Sequence, residues 1–474
     1  MSAGSRTCGS DEGWSSGKGE NVESRSITEL LHELARKHMV PGTQLALHMN
    51  GKTLSAAVGV TDTQSGDPVS SDTPFAFGSV SKAFTATLIL ELVSDGDLEL
   101  DAPVCEYVPE LRQAADEEMS AVTLRQLLSH TGGLVADYEL DDSSEQSMRR
   151  YAAGVATTRL LHHPGRCFSY ANTGYNLLGR CVEAVTAMEW HSAVRDFLLR
   201  PLGIGPVFLH RSDGGSARRP ATCHAVRPDG HQARPVGLFL PPTWAPASAL
   251  AGSAEDLVAF ARLHMGEHPA ADTLLDDEHR RDMRTPVPAA DAFGMADGWG
   301  LGLACYSGPD RRPHAAAPTW YGHDGTVDGG SCHLRFQPET GLAVALTTNA
   351  TTGSLLWSDL VEELRLRGVP VADYRPDVPD APPAEWPEST GLLGEYGNGD
   401  TRFSLRPHQG GIRLSDRTGL VADVTLHDRM IFTAQRVDAV EASYTGRFVL
   451  DGDTGAVALM QLGGRSAQRL TSAA

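Results

Sequence analysis

The chain of 474 residues contains no apolar run of the roughly 18 residues needed to cross a bilayer, so no membrane-spanning segment is expected. Residues 1–26 are rich in Gly, Ser and acidic side chains and lack the apolar centre of a secretory signal. A disordered tail and a cytoplasmic location follow as expectations. Seven cysteines occur without one C-x-x-C pair, which argues against a disulfide framework and against a zinc site. Free thiols and no metal are expected. Positive charge is short: 40 Lys and Arg against 60 Asp and Glu leave a formal net charge of −20, which disfavours nucleic acid and anionic membrane as partners. The local clusters Arg149-Arg150, Arg218-Arg219, Arg280-Arg281 with Arg284, and Arg311-Arg312 read first as solvated surface. No internal repeat is visible.

What is present is a globular composition, 41% hydrophobic, organised around the stretch Phe75-Ala76-Phe77-Gly78-Ser79-Val80-Ser81-Lys82. No helix breaker intervenes between Gly78 and Gly96, and residues 83–93 are apolar nearly all round, as in a buried central helix. Ser79 then falls in its first turn. Residues three apart share a helix face, so the Lys82 amine can reach the Ser79 hydroxyl, beside the positive end of the helix dipole. A serine hydroxyl is a weak nucleophile until a base takes its proton, and burial lowers a lysine pKa far enough for its amine to be that base. Taken alone, Ser-x-x-Lys recurs by chance, and its partners decide its meaning.

Ahead of it, residues 27–39 have amphipathic helical spacing. The runs 43–49 and 53–60 read as strands joined by the hairpin turn Asn50-Gly51. Downstream, a helix over 123–128 ends at Ser129-His130-Thr131-Gly132-Gly133, and another is expected over 153–163, stopped by Pro164-Gly165. The polar loop Phe168-Ser169-Tyr170-Ala171-Asn172 leads into an apolar helix reaching about Ala187. Residues 205–243 read as an irregular excursion over the site, and Ser253 to Asp256 has capping-box spacing. Strands are expected over 299–306, 331–336 and 342–349, with His323 and Gly325 between the first two and a helix over 355–367 after the last. A proline-rich linker is read over 375–387. Short strands separated by Gly and Asp follow, which suggests a small antiparallel barrel or sandwich over 388–474.

Singly, Tyr170 reads as a core or loop tyrosine, Asn172 as a helix cap and His323 as a structural histidine. Together and in this order, Ser79-x-x-Lys82, Tyr170-x-Asn172 and His323-x-Gly325 resemble the S-x-x-K, Y-x-N and H-x-G motifs of the penicillin-binding-protein and class C β-lactamase superfamily. The words Leu127-Leu128-Ser129-His130-Thr131-Gly132-Gly133 and Tyr170-Ala171-Asn172-Thr173-Gly174-Tyr175 resemble it as well. The resemblance implies an α+β catalytic domain over 27–374, an antiparallel sheet flanked by helices, and a small all-β, lipocalin-like domain at the C-terminus. It implies Ser79 as nucleophile and Lys82 as base. Tyr170 would relay a proton with its phenol held near the ionised form, and Asn172 would offer its amide to the substrate backbone. His323 would edge the cleft, with the N–H groups of Ser79 and Thr326 as oxyanion hole. Asp324 would place a carboxylate where a β-lactam wants a cation, which argues against β-lactam turnover.

More narrowly, Val40-Pro41-Gly42-Thr43-Gln44-Leu45-Ala46 and Ala296-Asp297-Gly298-Trp299-Gly300-Leu301-Gly302 resemble the penicillin-binding-protein-type thioesterases, enzymes that release nonribosomal peptides as macrolactams. That resemblance implies a peptidyl carrier protein as partner, a peptidyl thioester with a D-configured C-terminal residue as substrate, and no cofactor. Cyclisation demands a dry, covered site. Residues 205–245 and the C-terminal domain are expected to cover it, with Trp244 and Arg469 as lining residues and one arginine cluster to dock an acidic carrier. The alternatives are a cytoplasmic esterase, amidase or D-peptide hydrolase, in which water resolves the acyl-enzyme, and a silent peptide receptor of the same fold.

Overall fold

The computed structural model describes residues 24–141, 146–205, 207–210, 218–227, 232–307, 320–379 and 391–470, the last span apart from 418, 438, 441, 442 and 453. Most of the expected tail, the linker from 380 to 387, Arg311 and Arg312 lie outside the described residues. The first described helix, Ser24–Lys37, begins inside the span read as tail. Among the described residues no helix is long and apolar enough to cross a membrane.

Asn50 and Gly51 both take positive φ, 53° and 71°, as a two-residue hairpin turn requires, and join strands Gly42–Met49 and Lys52–Gly59. The first of these pairs with Leu342–Thr348, Thr43 opposite Thr348, so the two ends of the catalytic domain meet within one sheet. From edge to edge the seven antiparallel strands run Lys52–Gly59, Gly42–Met49, Leu342–Thr348, Gly330–Gln337, Trp320–Val327, Ala304–Tyr306 and Gly298–Trp299. The expected strand 299–306 is thus two short ones.

Period-two alternation sends the strand side chains into two cores. Cys332, Leu334 and Phe336 join the central helix Ser81–Ser94 and the capped helix Ala254–Met265 on one face. Leu45, Leu47, Val344 and Leu346 meet helices Ser24–Lys37 and Gly353–Leu366 on the other. The central helix is buried nearly all round, with Phe84 stacked on Phe260 at 3.9 Å between ring centroids. Each of its fully buried residues Phe84, Leu88, Ile89 and Leu90 contributes roughly 1.5–3 kcal/mol. Such a helix is a rigid base for whatever its first turn carries.

The helix expected over 153–163 is Met148–Val155 instead. Thr157 and Thr158 donate their hydroxyls to the carbonyls of Gly154 and Val155, and such side-chain bonds compete with helix continuation. The excursion read as irregular contains a two-stranded hairpin, Cys223–Val226 with Ala233–Val236. Beyond the linker, eight strands from Gly394–Asn398 to Arg465–Leu470 pair each with the next, and the last with the first. Closure removes sheet edges and encloses Tyr396, Leu405, Leu414, Phe432 and Met460.

Candidate active site

Ser79 sits in a 3-10 turn, Gly78–Val80, just ahead of the α-helix rather than in its first turn. The turn is tight because Gly78 takes φ +52° and passes close to the sheet, where a Cβ would meet the Thr326 carbonyl oxygen at 2.7 Å. A Cβ on Gly325 would likewise lie 3.0 Å from the Ser79 nitrogen. Glycines at both positions therefore let the backbones of Ser79 and Thr326, the expected oxyanion-hole residues, lie side by side.

Lys82 is wholly buried, with Nζ 3.1 Å from Ser79 Oγ and 2.9 Å from the carbonyl oxygen of Ala247. Burial lowers its pKa well below the usual lysine value, the charge of Arg465 lowers it further, and Asp137 opposes the shift in part. An amine whose pKa is lowered in this way, facing a serine hydroxyl, is placed to act as its base.

Tyr170 lies under that amine, its ring centroid 5.0 Å from Nζ. The expectation that its phenol is held near ionisation is corrected here. Burial raises its pKa above the ordinary phenol value, against the opposing influence of Ser79 and Arg465. The phenol is protonated at rest, with the Ser79 side chain beside its hydroxyl. Its backbone is held from two sides. Ser169 and Ala171 donate their N–H groups to the carbonyl oxygen and Nδ1 of His130, and Tyr170 donates its own to the Gly464 carbonyl at 3.0 Å, across to the barrel. His130 adopts φ +57° to do this.

Asn172 opens helix Asn172–Thr186. Its amide N–H, expected to face substrate, is donated to Asp137 at 2.6 Å, and its buried carbonyl oxygen is left without a partner among the described residues. Asp137 also accepts from Arg465 at 2.9 Å, whose guanidinium stands 5.9 Å from the Tyr170 ring. Arg465 is the cation that the barrel brings to the site, and sequence reading named Arg469 instead. Four residues along a strand is about 13 Å. Arg465 leaves the turn Gly463-Gly464 next to the cleft, whereas Arg469 lies up the strand, donating to Leu393 and stacking over Tyr396 inside the barrel domain. Trp244 is half-buried and donates to the Tyr138 carbonyl. It precedes helix Ala245–Ser248, whose Ala247 holds Lys82, so it touches the site at one remove.

His323 faces the cleft from strand Trp320–Val327, buried, 6.3 Å from the Tyr170 ring and 5.2 Å from Trp299. Asp324 does not share that face. It turns to the other side of the sheet, where Arg335 and His333 bind it at 2.8 and 2.7 Å; against the cost of its burial they hold its carboxyl well below the usual range. The carboxylate is neutralised away from the cleft, so the case it made against β-lactam turnover falls. Two of the arginine clusters differ in part from plain solvated surface: Arg280 is buried on the Leu275 carbonyl and Asp272, and Arg218 pairs with Asp256, while Arg149 and Arg150 are exposed as expected.

His130, Asp137 and Arg465 are the site residues that sequence reasoning missed. His130 stood within a motif word, while Asp137 and Arg465 carried no local signal.

A β-lactamase family model matches residues 27–359. Penicillin-binding protein 4 of Amycolatopsis lactamdurans is 36% identical over 370 residues, covering 75% of this chain and 92% of that protein. The crystal structure of SurE matches with a TM-score of 0.81 and 41% identity, covering 94% of this chain and 99% of that one. SurE solved with D-Leu matches at 0.78 and 40% over the same shares of the two chains. A class C β-lactamase from Rhodobacter sphaeroides matches at 0.59 with 20% identity over 72% of this chain and 99% of that one, a likeness of fold alone.

Proposed function

The chain belongs to the β-lactamase family, and on that premise we propose that it is a serine acyltransferase that releases a nonribosomal peptide from its carrier-protein thioester by head-to-tail macrolactam formation. One observation carries the reading. The buried Lys82 amine, its pKa lowered, lies against Ser79, while the barrel meets the edge of the site with Gly464 on Tyr170 and Arg465 on Asp137. A nucleophile beside which a second domain is seated suits an acyl-enzyme to be shielded from water.

In the first half-reaction Lys82 takes the Ser79 proton as Oγ bonds to the thioester carbonyl carbon. The oxyanion is met by the N–H groups of Ser79 and Thr326. The C–S bond breaks, the thiol leaves with a proton returned through Lys82 and the neutral Tyr170 phenol, and acyl-Ser79 remains. In the second half the peptide's own amine bonds to the acyl carbon, one of its protons passes to Ser79 Oγ by the same groups, and the amide departs. SurE has been solved with D-Leu, which supports a D-configured residue at the acyl terminus. The carrier protein is the partner this reading requires, and the cytoplasm its place.

The test is mass spectrometry of the products formed from a peptidyl thioester bearing a C-terminal D-residue and a free amine. A product one water lighter than the free acid, lost in Ser79→Ala, is expected. Free acid alone, equally dependent on Ser79, would turn the assignment to a hydrolase of the same family.

A further inference from the structure

His323 has one ring nitrogen committed and the other open. Nδ1 lies 2.6 Å from the carbonyl oxygen of Asp324. A carbonyl oxygen only accepts, so Nδ1 carries the proton and Nε2 of the neutral ring is a bare acceptor. The ring is neutral because burial, the main cause, lowers its pKa to about 3. Nε2 is buried and has no hydrogen-bond partner among the described residues. Since Nδ1 turns back to its own strand, Nε2 points away from it, on the face the strand shares with Gly325 and presents to Ser79. The indole N–H of Trp299, whose ring flanks His323 on one side with Tyr170 on the other, is also unpartnered. Buried polar atoms without partners are rare in folded proteins, and a group of them around a nucleophile outlines the hydrogen bonds that a ligand brings.

We propose that Nε2 of His323 receives one N–H of the attacking amine, which makes the site select a primary amine over a secondary one. The inference rests on the reading that an amine resolves acyl-Ser79. A neutral primary amine carries two N–H groups. As its lone pair bonds to the acyl carbon and the bond to Ser79 Oγ breaks, one proton passes through Tyr170 and Lys82 to Ser79 Oγ. The second stays on nitrogen as the amide hydrogen, and that is the one Nε2 holds. An N-methyl amine has a single N–H, which must leave, so its methyl group faces Nε2 and the buried acceptor goes unpaired. A lysine at this position, as in the K-T-G form of the motif, would offer donors only and could not play this part.

To test it, Ser79 is loaded with an N-acetyl-D-alanyl group from its p-nitrophenyl ester, which frees the readout from any carrier thioester. Glycinamide and its N-methyl analogue sarcosinamide then compete at equal free-base concentration, and the two amides are quantified by mass spectrometry against the same competition for the ester in buffer. The expected primary-to-secondary ratio is roughly tenfold or more above the uncatalysed ratio, the usual cost of one unpaired buried acceptor. It should fall to the uncatalysed ratio in His323→Leu and stay partly raised in His323→Gln, which keeps an acceptor oxygen. Equal ratios in the wild type and His323→Leu would overturn the inference while leaving the amine reading intact. Free acid as the sole product with either amine would overturn both, and failure to acylate Ser79 would remove the nucleophile assignment beneath them.

Discussion

The backbone N–H of Tyr170 donates to the carbonyl oxygen of Gly464 at 3.0 Å, from the catalytic domain to the barrel. The barrel is therefore part of what holds a catalytic-motif residue in place. Ser466 and Gln461 add bonds to Ser169 and the Phe168 carbonyl on the same loop.

Gly464→Val should sever that link. Gly464 has φ +75°, and a Cβ there would meet Met295 Sδ at 2.2 Å. Met295 can move aside, but the left-handed backbone disfavours a β-branched residue, so the turn should be drawn away from the Tyr170 loop. A fall of at least about tenfold in kcat/KM is expected, the cost of a mispositioned catalytic group, with circular dichroism showing the barrel strands retained. Unchanged turnover would show that Tyr170 needs no support from the barrel.

Lys82→Met should alter how stability depends on pH. In the folded protein the amine titrates well below its ordinary value, whereas in the unfolded chain it stays protonated to about pH 10.4. Between those two values the unfolded state binds the extra proton, so the wild type gains stability as pH rises, and this gain is missing in the variant. Denaturant unfolding from neutral pH upward should show the wild type improving relative to Lys82→Met. Parallel curves would mean that the amine is charged in the folded state.

Arg465→Met should shift the pH–rate profile. The arginine's positive charge lowers the Lys82 pKa, so its removal leaves the base more protonated at a given pH, and the acidic limb of kcat/KM should move to higher pH. Arg465→Lys should restore most of the shift. Because the Arg465 side chain is 41% exposed, added salt should shrink the difference between wild type and Arg465→Met. An acidic limb that stays in place in both variants would remove Arg465 from the electrostatics of the site.

Arg335→Met tests the far side of the motif strand. Arg335 is fully buried, bound to Asp324 and to Asp373 at 2.6 Å, and stacked 3.7 Å over Tyr306. Its loss leaves Asp324 with only His333, and Asp373 with only the Trp357 indole, to offset their charge, a cost of about 3 kcal/mol after allowance for the partial exposure of Asp324. Chemical denaturation measures it. Loss of less than about 0.5 kcal/mol, the range of ordinary surface substitutions, would show that solvent already carries the charge of Asp324.

The nucleophile could be read from sequence because its geometry is local. A three-residue spacing at the start of an all-apolar helix fixes both the proximity of Ser79 and Lys82 and the burial that lowers the amine pKa. The turn Asn50-Gly51 was legible for the same reason, since its backbone angles follow from those two residues. The helix expected over 153–163 misled because apolar spacing says nothing of threonine hydroxyls that bond back to the chain.

Sequence by itself determined the three motifs, the buried helix beneath them and the small β domain, since each follows from contacts within a few residues or from strand periodicity. Tertiary structure alone decided which face Asp324 takes, that the amide of Asn172 is spent on Asp137, and that Arg465 rather than Arg469 reaches the cleft. Arg465 and Asp137 are 328 positions apart. No local rule couples residues at that separation; closing the barrel and seating it on the Tyr170 loop brings their charges together.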